Sequence, residues 1–183
     1  MSIQAQADYF FNAYFVLHEN NEDMIEVLAK LPQETLIGGR TPDVHPTIGV
    51  DIVCLAFSLE LYIKDLHYAI EGEARRGHNI FNLFNDLPDK IKEEIFSYES
   101  ISQNPFMTRG DISSTKRFSS SYGAYNGFID QMKLISDGFE KWRYSYESMA
   151  LSYDISFALA FIAAIKSVTG KVRNQMKMNG CGQ

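Results

Sequence analysis

The sequence predicts an all-α, single-domain bundle of five to six helices, on three observations. Apolar residues recur at three- and four-residue spacing along nearly the whole chain, and no stretch alternates between turn signals as a half-buried strand does. The 183 residues fit one domain of ordinary size, long enough to bury a core unaided. Aromatics form 13% of the chain, against only five prolines, so burial can offset ordering entropy and linker-dominated or disordered classes are excluded.

The elements follow in order. From Ala5 to Leu31 a stripe of Phe10, Phe11, Tyr14, Phe15, Leu17, Met24, Ile25, Val27 and Leu28 marks helix. The polar run Glu19-Asn20-Asn21 interrupts it, which predicts two helices or one bent one, closed by Leu31-Pro32. Gly38 to Pro46 reads as a loop. The spacing of Ile48, Ile52, Leu55, Leu59, Ile63, Leu66 and Ile70 predicts a long helix over 47–71. Gly72 and Gly77 bracket a polar turn, and Ile80, Phe81, Leu83, Phe84 and Leu87 mark a short helix capped by His78 or Asn79. Pro88 suits the first turn of a helix from about Asp89 to Ser102, because its missing N–H costs nothing there. Residues 104–122, rich in Ser, Gly and Thr, read as a mobile insertion. Ala124 to about Ser152 reads as a long helix and Ile155 to about Val168 as a more apolar one. The domain is thus expected over 1–168, with 169–183 a flexible polar tail.

Charge and cysteine usage narrow the classes. Seventeen basic against 23 acidic residues give a net charge of −6, which excludes a globally basic nucleic-acid wrapper but not a local basic groove. The opening residues carry neither a basic nor an apolar leader pattern, so no secretory signal is expected. The strongly apolar run Ile155–Ile165 falls short of the roughly 20 residues of a spanning helix, which predicts a buried helix and no membrane. Cys54 and Cys181 show no pairing spacing, and no His-Glu-x-x-His helix or other ligand set is present. No metal, no cofactor and a reducing cytoplasm are the expectations.

Polar constellations carry the candidate chemistry. Glu60, Lys64 and His67 share one face of the second long helix. The plain reading is an exposed Glu60–Lys64 pair worth a few tenths of a kcal/mol; the sharper one sets both at the rim of a cleft with Arg143. Arg143 lies in Trp142-Arg143-Tyr144, followed by Tyr146 and Glu147. Its planar fork suits a carboxylate or a phosphate, so it either locks helices through Glu60 or Glu147 or contacts RNA. In Arg75-Arg76-Gly77-His78-Asn79, two guanidiniums and an imidazole precede a helix N-terminus, an arrangement suited to a phosphate or to a solvated cap. After Asp154 there are no acids, and Lys166, Lys171, Arg173 and Lys177 form a solvated tail or a nucleic-acid-facing fringe.

Two stretches, Ala56-Phe57-Ser58-Leu59-Glu60-Leu61-Tyr62-Ile63-Lys64 and Gly77-His78-Asn79-Ile80-Phe81-Asn82-Leu83-Phe84-Asn85-Asp86-Leu87-Pro88, are followed by Phe139-Glu140-Lys141-Trp142-Arg143-Tyr144 with Glu147. This order resembles the HEPN family (higher eukaryote and prokaryote nucleotide-binding domains), in particular its uncharacterised bacterial branches, over about Pro46–Val168. The resemblance implies a helical bundle that dimerises and is directed to RNA, with many relatives being metal-independent ribonucleases of toxin–antitoxin and anti-phage systems. In such enzymes an Arg and a His, four to six residues apart on one helix, serve as phosphate clamp and acid–base group. That motif is not found on a predicted helix here; Arg40 and His45 have the spacing, but in a loop with an intervening proline. The resemblance therefore implies either a catalytic cleft of Arg143, His78 and Glu147 or binding without cleavage. Around it Lys64, Arg75, Arg76 and Tyr144 would contact RNA phosphate, and Glu60 and Trp142 would form a structural polar network. The implied partners are a second copy of the chain, RNA, and an antitoxin or defence-system protein. The alternative is a non-catalytic helical interaction module.

Overall fold

The computed structural model describes residues 1–30, 50–98, 101, 128, 130–133, 135, 136 and 155–180. Regular structure among them is entirely helical: α1 (Ile3–Lys30), α2 (Val50–Glu71), α3 (Ile80–Asn85), α4 (Asp89–Phe96) and α5 (Ile155–Gly180), with helical backbone also at 128, 130–133, 135 and 136. The all-α helical bundle is as expected.

Of the two alternatives for the first unit, two helices or one bent one, the pair of helices is corrected: α1 is one helix that runs through Glu19-Asn20-Asn21. Its contacts with α2 reach the residue before that polar run. His18 donates through Nδ1 to Asp51 at 3.1 Å, and its ring stacks on Tyr14. Contacts pair Asp8 with Tyr62, Phe10 with Phe57 and His18 with Asp51, so α1 and α2 run antiparallel. Lys166 meets Tyr62 and Arg173 meets Asp65, so α5 runs parallel to α2.

Helix α2 is the axis of the bundle. Leu55, Leu59, Ile63 and Leu66 are fully buried, as their spacing predicts, but Glu60, Asp65 and His67 are buried as well. Neighbours therefore surround the helix rather than covering one stripe. Below it, Phe128 sits among Phe84, Phe96, Phe157 and Phe161, with ring centroids 4.6–5.2 Å away. Each such offset or edge-on pair adds about 0.5–1.5 kcal/mol beyond its area burial.

Glycines end α2 and set the following turn. Gly72 adopts φ +77° after donating its N–H to Tyr68 O, and Gly77 adopts φ +99°, conformations that a Cβ disfavours. Asn79 then caps α3, its Oδ1 accepting from Asn82 N at 2.9 Å. Pro88 immediately precedes α4, and its carbonyl accepts from Ile91 and Lys92. Helix α4 stops at Phe96 rather than near Ser102, with Ser97 N–H closing on Glu93 O.

Helix α5 overturns the expected end at Val168, since it continues to Gly180. Thr169 is buried and bonds Ile165 O, while Lys171 reaches Glu94 and Arg173 reaches Asp65, so tertiary partners hold the added turns. By length and composition alone Ile155–Met178 is apolar enough to cross a membrane, and half of its most apolar window is buried inside the bundle. Residues 104–122, like most of the helix expected over 124–152, lie outside the described residues.

Candidate functional site

The best-developed site is built around Glu60. Its carboxylate is 2% exposed, and Oε1 accepts both from Lys64 Nζ at 2.7 Å and from His78 Nδ1 at 3.0 Å. The exposed ion pair expected from spacing is thus corrected: Lys64 is 14% exposed and its partner is interior. Because an ionised carboxylate only accepts, Nδ1 of His78 carries the proton in this bond, which leaves Nε2 for solvent or substrate. The His78 side chain is 71% exposed, so the imidazole is held from below and open above.

Three contacts hold the loop that carries His78. Buried His67 donates through Nε2 to Leu83 O at 2.8 Å and fastens α3 to α2, while its Nδ1 has no partner among the described residues. Asn79 caps the next turn. Ser136 Oγ accepts from Phe81 N at 2.7 Å and donates to Met132 O, so the chain at residue 136 lies beside this loop. Lys133 follows with its Nζ 5.5 Å from the centre of the Phe81 ring. Sequence spacing gives no sign of either contact, because both span about 50 residues. Of the two loop arginines, Arg75 turns back to Glu71 at 2.9 Å and Arg76 is exposed; neither joins Glu60. Trp142, Arg143, Tyr144 and Glu147 lie outside the described residues, as do Arg40 and His45.

A second polar cluster occupies the junction of α1, α2 and α5. Tyr62 donates its hydroxyl to Asp8 at 2.5 Å, and Lys166 Nζ donates to the same Asp8 oxygen at 2.9 Å and to Tyr62 Oη at 3.1 Å. Burial pushes the Asp8 carboxyl up, but the Tyr62 and Lys166 hydrogen bonds and the Lys166 charge together hold it below its ordinary value. Burial, with the hydrogen bond to Asp8 and nearby negative charge, drives the Tyr62 phenol the other way. About two turns further along α5, Arg173 bonds Gln4 Oε1 and, at 2.7 Å, Asp65 Oδ1. Burial raises the Asp65 carboxyl despite that guanidinium. Lys166 and Arg173, read as fringe cations, instead pair with acids of other helices. Between them stands Gly170, where a Cβ would meet nothing within 4 Å. A mid-helix glycine costs about 0.5–1 kcal/mol relative to alanine, and close packing does not require this one.

Cys54 is a half-buried free thiol, its pKa raised by burial and by Asp51. Among the described residues, no three His, Cys, Asp or Glu side chains converge as metal ligands. Comparison with protein-family models, with curated proteins and with solved structures returned no match, so the site is read from its own geometry.

Proposed function

We propose that this chain is a HEPN-like, RNA-directed module of the cytoplasm that acts as a homodimer, in which His78 serves as acid–base group and Arg143 as phosphate clamp. The single observation that carries the reading is the His78–Glu60 pair, an exposed imidazole whose inner nitrogen is tied to a buried carboxylate. Such a tie fixes the tautomer, so that Nε2 takes a proton from a 2′-hydroxyl and the Glu60 charge steadies the imidazolium that results. Lys64, Lys133, Arg75 and Arg76, around or near the same loop, supply positive charge for the phosphate despite the acidic total. Arg143 would add a bidentate donor as charge develops, with Tyr144 and Glu147 close to it in sequence. An antitoxin or defence-system protein is the partner class this reading brings with it.

A second reading has its own observation in support. Glu60 Oε1 is shared by Lys64 and His78, so the triad also serves as an internal strut between α2 and the turn before α3, as a non-catalytic interaction module would need. Expression in a host cell with RNA analysis, beside purified protein incubated with single-stranded RNA in chelator, separates the two. The nuclease reading expects growth arrest and RNA fragments that His78→Gln reduces by about 10²–10⁴. Intact RNA together with no RNA binding by the wild type overturns it and leaves the strut.

A further inference from the structure

The described histidines stand in unlike surroundings. His67 is fully buried, with Nε2 given to Leu83 O. His18 has a carboxylate at each ring nitrogen, Asp51 at 3.1 Å from Nδ1 and Glu22 at 3.6 Å from Nε2. Among the described residues only His78 combines a fixed nitrogen with an open one. Its Nδ1 is held on Glu60 at 3.0 Å, its side chain is 71% exposed, and no described residue meets its Nε2.

That geometry suits a nucleophile as well as a proton carrier. With the proton on Nδ1, the Nε2 lone pair is unengaged, and the buried carboxylate faces the ring charge that develops when Nε2 forms a bond. Two exposed cations without an acid partner flank the same loop. Arg76 lies two residues before His78, and Lys133 sets its Nζ against the ring of Phe81, three residues after it; neither makes an ion pair. A group rich in anionic oxygens therefore meets unpaired positive charge around His78, whereas at His18 it would meet Glu22.

We propose that His78 is a phosphoacceptor, taking a phosphoryl group on Nε2 from an acyl phosphate, the mixed anhydride of a carboxylate and phosphate. The Nε2 lone pair attacks phosphorus and forms the N–P bond, while the P–O bond to the acyl group breaks. The carboxylate leaves with that electron pair. Nδ1 keeps its proton, so the ring gains one positive charge, which Glu60 offsets, and no other reactant takes part. This activity is separate from RNA cleavage and requires neither RNA nor Arg143.

Incubation of the full chain with acetyl phosphate in mildly alkaline buffer, read by phosphorus NMR and by peptide fragmentation, tests the proposal. The expected product is an alkali-stable, acid-labile phosphoryl group on His78, with His18 labelled at least about tenfold more slowly. His78→Gln should abolish that adduct. Glu60→Gln should slow its formation at least about tenfold, because the developing ring charge loses its counter-charge. Arg76→Ala combined with Lys133→Ala, both at exposed positions that leave the core alone, should slow it likewise and keeps the test open should the Glu60 variant not fold. No adduct on His78, labelling of His18 at an equal rate, or an unchanged rate in the folded variants overturns the proposal.

Discussion

Removing one member at a time from the Glu60 triad should give a stability order set by which charge is left in the interior. Glu60 is 2% exposed, Lys64 14% and His78 71%, so water reaches the three groups very unequally. A hydrogen bond to a charged group contributes about 1.5–3 kcal/mol net. The His78 bond exchanges readily with water, and its worth falls to the roughly 0–1 kcal/mol of a surface pair. His78→Ala should therefore cost under about 1 kcal/mol. Glu60→Gln keeps an acceptor of the same shape but leaves the Lys64 ammonium without its counter-charge, for about 2–3 kcal/mol. Lys64→Met strands the least exposed charge with only a peripheral imidazole beside it, for about 3–5 kcal/mol. Replacing both partners, Glu60→Leu with Lys64→Met, removes the stranded charge and should recover most of that loss. In a domain of this size 1 kcal/mol moves Tm by about 2–4 °C, so Glu60→Gln should melt roughly 4–12 °C lower. Urea unfolding monitored by circular dichroism, with an unchanged m-value, is the assay. A reversed order, or Glu60→Gln and Lys64→Met both within about 0.5 kcal/mol of wild type, would refute the reasoning, because Glu60 would then have to reach water.

Two further outcomes follow from the packing and the second cluster. Phe128, fully buried among four phenylalanines, should lose about 3–5 kcal/mol on change to Ala, and much less on change to Leu, in the same urea assay. The Asp8 carboxyl is held low in the folded chain, so its stabilising effect is present above the unfolded-state value near 3.8 and is lost as pH falls through the lower folded value. Asp65 is held high, so its effect has the opposite sign, present at acid pH and lost as pH rises through its folded value. Asp8→Asn should accordingly lower stability at neutral pH and make the acid limb of a Tm-against-pH curve shallower; an unchanged acid limb would show that Tyr62 and Lys166 do not hold the carboxylate.

What could be read from the residues alone was what neighbours in sequence decide. The helical spacing of Leu55, Leu59, Ile63 and Leu66, the Asn79 cap, the glycine turn at Gly72 and Gly77 and the helix following Pro88 all rest on interactions within about four residues, and such interactions are written into the chain locally. The candidate site was half legible for the same reason. Glu60 and Lys64 lie one turn apart, whereas the approach of His78 to Glu60 depends on the angle at which the turn after α2 returns. Burial was not legible, because a polar strip on a helix is exposed only if nothing packs on it. Helix α2 is enclosed by α1, α3 and α5, which converts Glu60, Asp65 and His67 from surface residues into interior ones. The same closure joins Asp8 to Lys166 and Gln4 to Arg173 across more than 150 residues, carries α5 past Val168, and makes partners of cations that composition alone assigns to a solvated tail. Local periodicity determined the helices; their mutual packing, which no single segment encodes, decided which of their charges face the interior.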